Sequence, residues 1–142
     1  MDKKVVLVSH GTLASAMMES VQMIIGKNDD LMCFGLNNDL YCSDIAENIK
    51  SMAENNKSTQ YIVIADLLGG SVCNECNELA LLHNVKVISG MNMKLVIELL
   101  LEDASVTDEI IESKIELCRE GIINISEQAI KKNNACSKED FF

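Results

Sequence analysis

The chain has 142 residues, 48% of them apolar and only 4% aromatic, with no tryptophan and a formal charge of −10. That length suits one domain with a sizeable core, and that apolar content excludes disorder over most of it. An acidic surface poor in aromatic side chains excludes nucleic acid and anionic membranes as partners, and it offers no platform for stacking bases or sugars.

Residues 4–9 are a continuous apolar, β-branched run and predict a buried strand. His10 ends that run and Gly11-Thr12 follow, so the imidazole falls at a rim and not in a core. Residues 12–25 carry Leu13, Ala14, Met17, Met18, Val21, Ile24 and Ile25 at helical spacing, with Gly26 as the stop. Residues 31–36 predict a second, weaker strand. Ser43 or Asp44 then caps a helix running to Asn55, with Ile45, Ala46, Ile49, Met52 and Ala53 on one face. Residues 61–67 predict the third strand, buried on both faces at Ile62-Val63-Ile64-Ala65, and Asp66 stands at its end. Gly69-Gly70-Ser71 open a helix reaching His83. Residues 85–89 predict the fourth strand, followed by Gly90-Met91-Asn92 and a helix over 93–101. Residues 107–132 read as helical with a break near Gly121. Residues 1–132 thus make one domain and 133–142 a polar C-terminal tail, whose Phe141-Phe142 could dock on the body. The chain has no proline, so its turns rely on Gly, Asn and Asp.

Strands alternating with helices predict an α/β fold. The sheet expected is doubly wound and mostly parallel, with four parallel strands in the order 2-1-3-4, room for an extra antiparallel strand, and helices on both faces. In that order strands one and three are neighbours, and their C-terminal ends flank the topological switch point where ligands bind. His10 and Asp66 would meet there, with Asn92 nearby.

A neutral imidazole has one bare nitrogen that can attack an electrophile, provided an acceptor fixes the proton on the other nitrogen. Asp66 is such an acceptor, and it would stabilise the charge that develops on the ring. The hydroxyl of Ser71 and the amides of Gly69, Gly70 and Ser71 would form an anion cradle suited to a phosphate. Thr12, Asn74 and Asn92 are further candidates. No Walker lysine or acidic magnesium cluster is present, so nucleotide hydrolysis is excluded and a phosphoryl relay fits better. Neither a metal nor a cofactor is expected.

The residues that carry this chemistry are Ser9-His10-Gly11-Thr12-Leu13-Ala14, Met23-Ile24-Ile25-Gly26, Asp66-Leu67-Leu68-Gly69-Gly70-Ser71-Val72-Cys73-Asn74 and Ser89-Gly90-Met91-Asn92. In that order they resemble the IIA domain of the mannose family of the bacterial sugar phosphotransferase system, over roughly residues 3–130. The resemblance implies a homodimer and a histidine that accepts a phosphoryl group from the histidine phosphocarrier protein (HPr). The group then passes to a IIB component, which phosphorylates sugar entering through membrane IIC and IID partners. By the motif, His10 is the phosphorylated residue, Asp66 orients it, and Ser71 with its neighbouring amides binds the phosphoryl oxygens. The sequence departs from the family at Val72, where proline is common, and at Met93-Lys94.

Three other readings stand beside this one. A phosphoacceptor domain of a dihydroxyacetone kinase relay would share the fold and the histidine, but Gly11-Thr12-Leu13-Ala14 favours the sugar system. Cys73-Asn74-Glu75-Cys76 could cycle as a redox pair at a helix start, yet thioredoxin-like proteins need a nearby cis-proline. Zinc would need two further ligands at suitable spacing. A flavin module lacks aromatic side chains to sandwich the ring. The six cysteines are irregularly spaced and are read as reduced thiols, and the apolar run after Met1-Asp2-Lys3-Lys4 is too short for a secretory leader, so a cytoplasmic location is expected.

Overall fold

The computed structural model describes residues 2–37, 40–103 and 105–139. Four strands, β1 (Asp2–His10), β2 (Leu31–Leu36), β3 (Thr59–Ala65) and β4 (Val85–Ser89), form one sheet in the order β2-β1-β3-β4. All three pairings are parallel, and no antiparallel strand is added among the described residues. The helices are α1 (Leu13–Ile25), α2 (Cys42–Asn55), α3 (Ser71–Cys76), α4 (Met93–Leu101), α5 (Asp108–Arg119) and α6 (Ile125–Glu139), with a 3₁₀ turn at Asn77–Leu81.

The period of two along each strand sorts the core into two layers. Val5, Leu7, Ile62, Ile64 and Ile88 face α1, α4 and α5. Val6, Val8, Val63, Ala65 and Val85 face α2 and α3. Coverage on both faces explains why β1 and β3 read as unbroken apolar runs.

Two buried amides fasten the opposite edge of the sheet. Gln60 Nε2 donates to the Val106 carbonyl at 2.8 Å while its Oε1 accepts the Val106 N–H at 2.7 Å. Asn84 Nδ2 reaches the carbonyls of Ala53, Asn56 and Thr59 at 3.0 to 3.2 Å.

Four elements differ from the sequence expectation. Helix α2 is capped by neither Ser43 nor Asp44 but starts at Cys42 after Tyr41, whose N–H donates to Asp44 Oδ2 at 3.2 Å. The helix opened by Ser71 ends at Cys76 and continues as a 3₁₀ turn to Leu81, short of His83. The third strand stops at Ala65, so Asp66 and Leu67 lie in the loop beyond it. The segment over 107–132 is two helices, and the second runs on to Glu139, through residues read as an aperiodic tail. Its residues are exposed on every side as far as Cys136, so no core imposes a hydrophobic period on it. Phe141 and Phe142 lie outside the described residues. Among the described residues no helix is long and apolar enough to cross a membrane.

Candidate functional site

The β1–β3 ladder itself builds the site. Val8 pairs with Ala65, and the Asp66 N–H donates to the Val8 carbonyl at 3.1 Å. Asp66, one residue beyond Ala65, reaches across to His10, two residues beyond Val8. Its Oδ2 accepts the His10 main-chain N–H at 2.9 Å and stands 2.6 Å from ring Nδ1. Its Oδ1 accepts the Leu67 N–H at 2.9 Å. The carboxylate is 6% exposed, whereas the imidazole is 46% exposed. Burial pushes the Asp66 pKa up, but the donations from the His10 backbone, the His10 ring and the Leu67 backbone outweigh it and hold the carboxyl below its usual value. An ionised Asp66 accepts only, so Nδ1 carries a proton, and in the neutral ring Nε2 is the bare nitrogen.

Nε2 points at Ser71, whose Oγ lies 3.0 Å away. Ser71 is the first residue of α3 and follows a tight turn in which the Gly70 N–H donates to the Leu67 carbonyl at 3.3 Å. Gly69 has φ +80° there, as the third position of a type II turn requires. The Gly70 amide is therefore engaged in the turn and does not face a ligand as expected. The helix is only six residues long, so an anion here would rest on the Ser71 hydroxyl and first-turn amides more than on an accumulated dipole.

Two of the other candidates, Asn74 and Asn92, make structural hydrogen bonds. Asn74 Nδ2 donates to the Gly69 carbonyl at 3.2 Å and holds the turn from behind. Asn92 caps α4, its Oδ1 accepting the Leu95 N–H at 3.1 Å. Thr12 is exposed at the start of α1 and its side chain makes no capping bond. Val72, at the family's proline position, is fully buried. His83 lies just before β4, at the edge of the sheet opposite His10.

Two residues at the rim were missed. Cys42, the first residue of α2, places its Sγ 3.5 Å from Ser71 Oγ. Gly35 in β2 faces Gly11: a Cβ there would lie 2.3 Å from the Gly11 carbonyl oxygen. A glycine inside a strand is the signal that could have found it.

The redox reading finds no support in the thiols. All six cysteines are free, and Cys73 and Cys76 are buried. Burial, reinforced by Cys73, Cys42 and Glu75, pushes Cys76 up to about 12, away from a reactive thiolate. No group of three or more His, Cys, Asp or Glu among the described residues is placed to hold a metal ion.

The chain is similar to known proteins in sequence and in fold. The family described as PTS system fructose IIA component (EIIA-man) matches residues 4–115. A sorbose-specific EIIA component of the phosphotransferase system from Klebsiella pneumoniae is 35% identical over 95 residues, which span 64% of this chain and 67% of that protein. Two solved structures share the fold. The phosphotransferase system component EIIA from Streptococcus agalactiae has a TM-score of 0.78 at 23% identity, covering 88% of this chain and 98% of its own. The mannose/sorbose specific IIA subunit from Enterococcus faecalis has a TM-score of 0.74 at 24% identity, covering 87% and 95%. With the family match spanning most of its length, the chain belongs to the mannose-type EIIA family of the sugar phosphotransferase system.

Proposed function

We propose that His10 accepts a phosphoryl group from HPr and passes it to a IIB component, serving sugar uptake through IIC and IID. The observation that carries this reading is the ring held between Asp66 and Ser71, with Nδ1 at 2.6 Å from the carboxylate and Nε2 free to react. In the transfer the P–N bond on the donor histidine breaks and a bond from phosphorus to Nε2 forms. The Nδ1 proton stays in place, and Asp66 stabilises the positive charge on the ring. Ser71 swings its O–H from Nε2 to a phosphoryl oxygen. Positioning and charge stabilisation suffice for such a step, and none of it requires a nucleotide or a metal. The chain works in the cytoplasm as a homodimer on this reading.

The test is to incubate the protein with phosphoenolpyruvate, the system's first kinase and HPr, and to map the acid-labile phosphate. Wild type should be labelled on His10, and His10→Ala should yield no stable phosphoprotein while keeping its fold by circular dichroism. Normal labelling of His10→Ala, above all on His83, would falsify the assignment.

A further inference from the structure

Ser71 has a single hydroxyl proton, and the chemistry at His10 requires it to point at the ring. A hydroxyl donates once and accepts through two lone pairs, and its proton rotates to suit its neighbours. Among the described residues Ser71 Oγ meets two polar side-chain atoms, His10 Nε2 at 3.0 Å and Cys42 Sγ at 3.5 Å. The longer distance is a hydrogen-bond length for the larger sulfur atom. Nε2 of the neutral ring offers only a lone pair, so Ser71 donates to it. The thiol then donates to Ser71, since lone pair would otherwise face lone pair. The protons line up in one direction, from S–H to Oγ, from O–H to Nε2 and from Nδ1–H to Asp66.

The fold fixes the thiol in that place. Cys42 is the first residue of α2, and the turn it opens is tied on both sides. The Tyr41 N–H donates to Asp44 Oδ2 at 3.2 Å, and the Tyr41 carbonyl accepts the Asp44 and Ile45 N–H groups at 3.1 Å. Cys42 is half-buried and packs in the same core layer as Val72 and Cys73, the two residues after Ser71. Thiol and hydroxyl thus stand on two helix starts joined by one layer of packing.

We infer that Cys42 is a positioning residue for phosphoryl transfer. Its S–H occupies one lone pair of Ser71 Oγ and so keeps the hydroxyl proton aimed away from sulfur, at the rim. While Nε2 is bare, that proton goes to the ring. Once phosphorus occupies Nε2, the proton turns to a phosphoryl oxygen, and the S–H steadies the serine oxygen through the swing. No bond to sulfur forms or breaks, and no proton leaves it. This inference rests on the phosphoacceptor reading of His10 above.

The experiment is a double-mutant cycle on the full chain, with wild type, Cys42→Ala, Ser71→Ala and both changes together. One readout is single-turnover transfer from phosphorylated HPr. The other is the nitrogen-15 shift of His10 Nε2 in the unphosphorylated protein, which senses whether a donor reaches that atom. Cys42→Ala should slow transfer by about fivefold, the effect of losing one weak hydrogen bond. It should also move the Nε2 resonance in the direction that Ser71→Ala moves it. Added to Ser71→Ala, it should change neither readout. A packing loss would repeat itself in both backgrounds, and that result would overturn the inference. Cys42→Val fills the volume but has no proton to give, so it should be as slow as Cys42→Ala. A wild-type rate in Cys42→Val would show that sulfur only fills space and would overturn the inference too. Undiminished transfer through His10 in Cys42→Ala, with the resonance unmoved, would remove the positioning role and leave the phosphoacceptor standing. Wild type unlabelled on His10 would overturn both.

Discussion

Asp66→Asn is the sharpest probe of the rim, because three N–H donors converge on one carboxylate. Oδ2 takes two, from the His10 backbone and ring, and Oδ1 takes the third, from Leu67. An amide has one oxygen and one NH₂, so it must turn the NH₂ towards at least one of those donors. If the NH₂ faces Leu67, the ring keeps an acceptor but loses the negative charge beside the nascent imidazolium. If the amide flips, the NH₂ faces Nδ1 and drives the proton to Nε2, the atom that has to attack. Hydrogen bonds to charged groups contribute about 1.5–3 kcal/mol each, and about 2.7 kcal/mol in the barrier is a hundredfold in rate. We therefore expect single-turnover transfer from phosphorylated HPr to slow by about 10²-fold, read by rapid quench with radiolabelled phosphate. A rate within about threefold of wild type would refute both the tautomer and the charge argument at once. Nitrogen-15 chemical shifts of the ring would then show which nitrogen holds the proton.

Gly35→Ala should lower unfolding stability by about 2 kcal/mol in urea and slow phosphorylation, since its methyl would press on the Gly11 backbone; unchanged stability would mean the contact yields freely. Replacing Cys73 and Cys76 by alanine, which leaves no buried hydroxyl, should cost about 1–2 kcal/mol of stability and keep transfer within about threefold. Lost transfer with an intact fold would restore a role for the thiols. Asp66 has its carboxyl pKa lowered by folding, so its contribution to stability is full above the ordinary value near 3.8 and fades as pH falls below it. Urea unfolding from about pH 5 down to 2 should accordingly flatten in Asp66→Asn, and an identical acid slope in the two proteins would show that Asp66 is not the group responsible.

The fold and the centre of the site were legible because both follow from the same local signals. Two fully apolar strands, each ending in a polar residue and a glycine turn, become neighbours once the order 2-1-3-4 holds, and parallel register then sets His10 beside Asp66. Ser71 was legible for the same reason, as the first residue after a glycine pair. Asn74 and Asn92 share the loops, and the bonds they make in the structure are to the backbone. Each satisfies backbone groups that the turn or helix start leaves open, a demand that a linear reading does not rank against ligand binding. Cys42 escaped notice because it reaches the rim only when α2 packs beside α3. The helical nature of residues 133–139 was hidden for another reason: periodicity reports packing against a core, and α6 has none of its own.

The contact of Gly11 with Gly35 bears on how the rim tolerates sequence change. Two main chains touch there with no side chain between them, directly behind the residue that ends β1. The place of the imidazole is thus inherited from backbone against backbone, and the exposed side chains around it, Leu13, Tyr41, Leu67 and Leu68, are free of that duty. In a library saturating this region, those four positions should accept wide substitution and so let the rim be reshaped for different protein partners. Gly35 should accept almost none. The chemistry would stay in one place while the surface that selects who uses it drifts.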